Sequence, residues 1–198
     1  YYVYDPMCSW CWGFNNTWKK VQKSLPDSIN IQYVLGGLAP DSNEIMPEKM
    51  RAYIQENWRK IQSVIPGTEF NYDFWQLCKP KRSTYPACRA IISVKNQDPT
   101  LETQILKLIQ QAYYLNAQNP SENSTLIQLA KSLKLDIKKF KKDLNSSNTQ
   151  QQLEEDIALA KSLNIHSFPS LLLSNNQGNK LIAIDYNNAD KIIKQILD

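Results

Sequence analysis

The strongest constraint on the fold of this 198-residue chain is a pair of cysteines, Cys8 and Cys11, that separates a strand pattern from a helix pattern. Residues 1–4 are aromatic or β-branched, as is typical of a strand, and an Asp-Pro dipeptide follows them. From Cys11 to residue 25, apolar side chains recur at steps of three and four residues, and Pro26 comes next. This spacing predicts a helix that begins at the cysteine pair and ends before Pro26.

The remaining pattern predicts a strand, a long helical block, a hairpin and a last helix. Residues 29–35 alternate between apolar and polar side chains and end at a Gly-Gly pair, which predicts a strand. Residues 170–184 predict a hairpin with its turn at 175–178, and a last helix is expected from Asn188. Between them the pattern is helical, and the later helices are expected to begin near polar residues that favour N-caps: Thr84, Thr100, Ser121, Asp136 and Thr149.

This order of elements is that of an α/β thioredoxin fold, β-α-β followed by β-β-α, with a large all-helical insertion between the halves. We therefore expect residues 1–38 and 165–198 to form the thioredoxin-like domain and residues 39–164 to form the insertion. A right-handed β-α-β crossover allows both halves to share one sheet.

Composition excludes several classes of protein. The hydrophobic fraction of 42% and the charged fraction of 21% are those of a globular protein, and no apolar run approaches a membrane span. The net charge of +4 is spread along the chain, which disfavours a nucleic-acid-binding role. The chain opens without an initiator Met or a leader pattern, so the expected compartment is left open between the cytoplasm and a bacterial periplasm.

The cysteine spacing predicts redox chemistry. A CxxC at the start of a helix places the first sulfur beside unpaired backbone N–H groups and the positive end of the helix dipole, and both favour a thiolate. Since the thiolate is the nucleophile, we expect Cys8 to attack a substrate disulfide and the shielded Cys11 to resolve the mixed disulfide.

The alternative interpretation of a CxxC is half of a four-cysteine zinc site. The other two cysteines, Cys78 and Cys88, have nine residues between them and form no second tight pair, and the only histidine, His166, lies elsewhere. We therefore expect neither a metal nor a cofactor. The role of Cys78 and Cys88 is left open, with free buried thiols as the first interpretation.

Several segments carry a resemblance to one known family. The sequence around the cysteines resembles the active-site segment of DsbA-family oxidoreductases, in the branch described as protein-disulfide isomerases. Further segments resemble that branch in the same order, so that the resemblance covers most of the chain: Tyr4-Asp-Pro-Met-Cys-Ser-Trp-Cys-Trp-Gly-Phe14, Leu35-Gly-Gly-Leu-Ala-Pro40, Phe74-Trp75, Arg82-Ser-Thr-Tyr-Pro-Ala-Cys-Arg-Ala90, Gln111-Ala-Tyr-Tyr114 and Phe168-Pro169-Ser170.

The resemblance implies a thioredoxin fold with a helical insertion, no metal, and a cis proline at Pro169 that faces the CxxC. One position departs from the family pattern, because Ser167 stands where a glycine is expected before Phe-Pro. The related 2-hydroxychromene-2-carboxylate isomerases and kappa-class glutathione transferases usually carry serine at the nucleophilic position, so an intact cysteine pair argues against that activity here.

Four further residues are candidates for the site. Trp10, between the cysteines, is expected to be exposed and, with Phe168, to bind substrate. Asp5 is interpreted first as a turn or cap residue and second as a proton shuttle for Cys11. His166 is interpreted first as a loop residue and second as a cation that tunes Cys8.

These residues predict a thiol–disulfide oxidoreductase or isomerase that works through a mixed disulfide. Its expected partners are protein or peptide thiols and disulfides, with glutathione as a further candidate, and a redox partner protein; no nucleic acid and no membrane are expected. The direction of the reaction is not predicted. The alternatives are a peptide-binding chaperone or interaction module with incidental thiols, and a glutathione-dependent isomerase or transferase.

Overall fold

The computed structural model describes residues 1–198 and is organised around a four-stranded mixed sheet in the order β2-β1-β3-β4. β1 pairs parallel with β2 and antiparallel with β3, and β3 pairs antiparallel with β4. The central position of β1 follows from its burial, because all three of its side chains are enclosed. The strands are β1 (Tyr2–Tyr4), β2 (Tyr33–Leu35), β3 (Ser170–Asn175) and β4 (Gly178–Ile182).

Nine α-helices surround this sheet, and seven of them lie between β2 and β3 in sequence. Buried residues of the strands and of these seven helices belong to one hydrophobic cluster, so the inserted helices share the core of the sheet. The division into 1–38 with 165–198 and 39–164 stays a prediction. The helices are α1 (Ser9–Ser24), α2 (Glu48–Val64), α3 (Phe74–Leu77), α4 (Tyr85–Lys95), α5 (Glu102–Tyr114), α6 (Asn123–Ser132), α7 (Ile137–Asp143), α8 (Ser147–Ser162) and α9 (Ala189–Leu197).

Some predicted boundaries differ from the observed ones. β2 covers three residues instead of the seven expected, because β1, its only partner, is itself three residues long and ends at the Asp-Pro turn. Asp136 and Asn188 cap α7 and α9 as expected, each accepting two backbone N–H bonds. Ser146, and not Thr149, caps α8, so this helix begins earlier than predicted.

Aromatic packing fixes α1 against the sheet. The Tyr2 ring stacks on Tyr4 with ring centroids 5.3 Å apart and contacts Trp18 of α1 at 4.8 Å. Phe14, one turn before Trp18, is fully buried on the same helix face. Because β1 ends only four residues before α1 begins, this packing also fixes the short turn that carries Cys8.

Gly36, at the end of β2, allows the chain before β3 to approach closely. A Cβ built on Gly36 would lie 2.0 Å from the Phe168 ring, so only a residue without a side chain fits there. The backbone N–H of Gly36 also donates to the Tyr4 carbonyl at 2.7 Å. The glycine therefore brings β1, β2 and the Phe168 segment together.

We expect Gly36→Ala to destabilise the protein by about 1–3 kcal/mol, because the added methyl group overlaps the Phe168 ring. The free energy of unfolding in urea measures this effect. In the double variant Gly36→Ala/Phe168→Ala the overlap is removed, so the cost of the alanine at position 36 should fall. Equal stability of wild type and Gly36→Ala would contradict the packing described here.

Candidate active site

Cys8 occupies the N-cap of α1. Its backbone is extended, at φ −78° and ψ 116°, and its carbonyl accepts the first helical bond from Trp12 N at 3.1 Å. No acidic residue lies in the first turn, so no side-chain charge there opposes the positive end of the helix dipole. The next residue, Ser9, accepts a hydrogen bond from Trp58 Nε1 of α2 at 2.9 Å, which joins the helix start to the inserted helices.

The two cysteines of the CxxC have different environments. Cys8 retains 7% of its accessible surface, whereas Cys11 is completely buried. Burial raises the pKa of the Cys11 thiol well above its usual range, and its hydrogen bond to Cys8 raises it further. All four cysteines are free thiols. Both cysteines are therefore buried, but Cys8 lines a cavity while Cys11, a single helical turn later, is fully enclosed.

The segment before β3 faces the accessible cysteine. Cys8 Sγ lies 3.3 Å from the Phe168 carbonyl oxygen, within the reach of an S–H···O hydrogen bond. The Phe168–Pro169 peptide bond is cis, and Pro169 is buried. The structure thus brings Cys8, Cys11 and the Phe168–Pro169 pair together, while their roles in a reaction stay predictions.

Asp5 is a fully buried carboxylate behind the cysteines. It accepts hydrogen bonds from Met7 N at 2.8 Å, from Leu38 N at 2.7 Å and from Thr84 Oγ1 at 2.7 Å. Burial raises the pKa of this carboxyl, and the hydrogen bonds from Leu38, Thr84 and Met7 offset part of the rise. The bond from Met7 is the one expected of a turn residue, and its role as a proton shuttle stays a prediction.

Sequence reasoning missed the partners of Asp5 in other segments. Leu38 and Thr84 lie in two of the segments that carry the family resemblance, and this resemblance was the only sequence signal that pointed to them. A third neighbour is the thiol of Cys88, whose Sγ lies 3.7 Å from Asp5 Oδ2. Burial, the Asp5 charge and the hydrogen bond to Asp5 raise the pKa of Cys88 well above its usual range.

The expectation of an exposed Trp10 is wrong. Its side chain is half-buried, because Tyr186, in the loop before α9, packs against it with ring centroids 5.2 Å apart. Phe168 is also half-buried, with its ring over Gly36. His166 is exposed and lines the same cavity as Cys8, Trp10 and Phe168.

That cavity has a volume of about 320 Å³ and opens beside Cys8. Sequence reasoning missed its far wall, which comes from the inserted segments and includes Tyr53, Ile54, Lys81 and Arg82. A larger cavity of about 550 Å³ lies between α1 and α5 but is lined by neither cysteine. We therefore place the candidate active site in the smaller cavity.

The other two cysteines, Cys78 and Cys88, lie in different surroundings. Cys78 is half-buried and donates to the Ala117 carbonyl at 3.0 Å, whereas Cys88 is buried beside Asp5. No group of three or more His, Cys, Asp or Glu side chains is arranged to hold a metal ion. None of the helices has the length and apolar character needed to cross a bilayer.

Comparison with known proteins places the chain in a family. A family model described as Thioredoxin matches residues 1–195. The chain belongs to the thioredoxin family. The predicted thioredoxin fold, with its helical insertion, is thereby confirmed, and the structural neighbours described below share that fold.

The curated relatives of this thioredoxin-family chain are adapter proteins. It is 28% identical over 179 residues to the ClpXP adapter protein SpxH of Halalkalibacterium halodurans, covering 88% of this chain and 58% of that protein. The SpxH of Bacillus subtilis is 24% identical over 178 residues, covering 89% and 58%. The chain thus spans less than two thirds of the length of these relatives.

The solved structures that resemble this thioredoxin-family chain share its fold. A candidate protein disulfide isomerase from Nitrosomonas europaea has a TM-score of 0.81 at 24% identity, covering 99% of this chain and 93% of that one. The cytosolic disulfide reductase DsbM from Pseudomonas aeruginosa has a TM-score of 0.73 at 20% identity, covering 92% and 87%.

We expect Cys8 to be alkylated long before Cys11 in the reduced protein. Burial raises the pKa of Cys11 well above its usual range, which disfavours the reactive thiolate at neutral pH, and Cys11 has no accessible surface. Substoichiometric iodoacetamide followed by peptide mass spectrometry measures the order of labelling. Labelling of Cys11 at the rate of Cys8 would contradict the assignment of the enclosed sulfur.

We expect Asp5→Asn to destabilise the protein, because an NH2 group replaces one carboxylate oxygen and the donors to that oxygen lose their acceptor, at about 1–3 kcal/mol for each one left unsatisfied. The loss of unfolding free energy relative to the wild type should be smaller at neutral pH than at about pH 4. The pKa of Asp5 is raised by folding, so its protonated form stabilises the fold at low pH, and this contribution is lost as pH rises through the raised pKa.

Urea unfolding of wild type and Asp5→Asn across that pH range tests both statements. A difference in stability that grows towards neutral pH would show that folding lowers the Asp5 pKa, against the burial argument.

Proposed function

We propose that this protein is a thiol–disulfide oxidoreductase whose redox couple is Cys8 and Cys11. The observation that carries the proposal is the unequal pair of sulfurs: Cys8 at the N-cap of α1, beside a cavity, and Cys11 enclosed one turn later. An attacking thiol must reach its substrate, whereas a resolving thiol needs to reach only the first sulfur. In this proposal Cys8 is the attacking thiol and Cys11 is the resolving thiol.

In the reductive direction, the Cys8 thiolate attacks one sulfur of a substrate disulfide. A bond forms between Cys8 Sγ and that sulfur, the substrate S–S bond breaks, and the other substrate sulfur leaves as a thiolate with the electron pair. Cys11 then loses its proton and attacks Cys8 Sγ, which releases the first substrate sulfur as a second thiolate. The substrate has gained two electrons, and Cys8 and Cys11 have become a disulfide.

The surrounding residues have supporting roles in this proposal. The Phe168 carbonyl, 3.3 Å from Cys8 Sγ, orients the thiol before attack, and Pro169 holds that carbonyl at the cavity edge. Cys11 must give up its proton during resolution, and burial and the Cys8 sulfur oppose this by raising its pKa, with a smaller contribution from the Asp5 charge. Attack by Cys8 on the substrate is therefore expected to be faster than resolution by Cys11.

The Cys8–Cys11 disulfide needs a thiol reductant to return to the dithiol, and we propose glutathione or a redox partner protein for this step. The cytosolic disulfide reductase DsbM, a neighbour at 19% identity, has been solved with GSH, which supports glutathione and favours the cytoplasm as the compartment. The reverse sequence of steps would oxidise a substrate dithiol or, when incomplete, isomerise a disulfide.

A second candidate function is that of an adapter that binds a protein partner without redox chemistry. The curated relatives favour it, since they are named ClpXP adapter proteins, although this chain spans 58% of their length. The oxidoreductase requires the Cys8 and Cys11 thiols, whereas an adapter should bind its partner equally well after both cysteines are replaced by serine.

We expect the reduced protein to reduce insulin disulfides and Cys8→Ser to lose this activity entirely. Cys11→Ser should accumulate mixed disulfides on Cys8, because attack survives while resolution is lost. Turbidity of precipitating insulin chains measures the first effect, and non-reducing gels measure the second. Cys78→Ser serves as the matched control, since it also removes a thiol but should retain wild-type activity.

Inactivity of the wild-type protein towards insulin and small disulfides would refute the proposed oxidoreductase function and leave the adapter function as the remaining candidate. Trapping by Cys8→Ser but not by Cys11→Ser would reverse the assignment of the two sulfurs.

A further inference from the structure

The cavity beside Cys8 has an unbalanced charge. Lys81, Arg82 and His166 contribute basic side chains to its lining, and no Asp or Glu side chain lines it. The chain as a whole contains 23 Lys and Arg against 19 Asp and Glu, so acidic residues are common enough that their absence here is a local feature.

Arg82 is the uncompensated member of this group. Lys81 Nζ forms an ion pair with Glu122 Oε1 at 2.9 Å, which neutralises most of its effect on a ligand. Arg82 takes part in none of the five salt bridges, its side chain makes no hydrogen bond, and it is exposed. Its charge reaches the cavity, since it lowers the pKa of Tyr113, another lining residue, against the larger effect of burial.

Another part of the cavity lining is apolar. Met46, before α2, and Tyr53 and Ile54, within α2, contribute to the lining. Met46 and Ile54 are buried, whereas Tyr53 is 60% exposed, and Ile45, next to Met46 in sequence, is 61% exposed. This apolar strip, with its exposed Tyr53 beside the Cys8 cavity, fits apolar side chains of an extended peptide.

We propose that this site selects cysteine peptides that carry a carboxylate next to the reacting cysteine, and that Arg82 is the residue that reads the carboxylate. The inference rests on the proposed oxidoreductase function and adds a substrate class to it. Arginine suits this task because its planar guanidinium offers paired donors to a carboxylate. The apolar strip holds the rest of the peptide and sets no charge preference.

The test compares three synthetic peptides, Ac-Ala-Glu-Cys-Ala-NH2, its Gln analogue and its Lys analogue, each supplied as the symmetric disulfide. The reduced protein reacts once with each disulfide, and release of peptide thiol is followed by chromatography. Each rate is divided by the rate with dithiothreitol, which carries no charged group besides its reacting thiolate, because neighbouring charge alters the intrinsic reactivity of a disulfide.

We expect the second-order rate constant for reduction of the Glu peptide to exceed that for the Gln peptide by about two- to fivefold, the ratio that a solvent-exposed ion pair supplies. The Lys peptide should react more slowly than the Gln peptide. The preference should shrink with added salt, because exposed charges are screened. In Arg82→Gln the ratio of the Glu-peptide rate to the Gln-peptide rate, measured within that variant, should fall to about one.

Lys161→Gln is the matched control, since it removes the same charge from an exposed position on α8, away from the cavity. It should keep the full preference. Equal normalised rates for all three peptides, or a preference that survives Arg82→Gln or is lost equally in Lys161→Gln, would overturn the inference and leave the oxidoreductase intact. Failure to reduce any of the three peptides would instead remove the proposed function itself.

Discussion

The carboxylate of Asp5 holds together the segments on which the site depends. Its three strongest hydrogen bonds reach the turn before Cys8, the loop after β2 and the residue before α4. The last of these, Thr84, lies 79 residues away in sequence. A buried carboxylate is costly unless its oxygens are hydrogen-bonded, so each donor segment contributes to the stability of the Cys8 turn. The inserted segment that contains Thr84 therefore helps to hold the site in place.

Most of the fold was predictable because its determinants are local. The strip of apolar residues from Cys11 to Val21, the alternation at β2 and the turn between β3 and β4 each depend on neighbours in sequence, and each appears near its expected place. The same holds for the Asp136 and Asn188 caps, whose side chains bond to N–H groups two and three residues ahead.

The rest of the site was not predictable because its contacts join distant segments. The burial of Trp10 depends on Tyr186, and the position of Ser9 depends on Trp58 of α2. Nothing near Asp5 in sequence identifies Leu38 and Thr84 as its donors, and nothing near Cys8 identifies Tyr53 and Arg82 as parts of its cavity. Only the three-dimensional arrangement places these residues around one sulfur.

The three residues of the stretch before α4 all line the cavity but differ in how they are held. Arg82 is exposed, whereas the next two residues, Ser83 and Thr84, are 2% and 4% exposed. Ser83 accepts a hydrogen bond from Ser121 through its carbonyl, and Thr84 donates to Asp5. A change at Arg82 therefore alters an exposed part of the cavity lining. A change at Thr84 removes one of the donors to the buried Asp5 Oδ2, which then keeps the bond from Leu38 N, and weakens the support of the turn that carries Cys8.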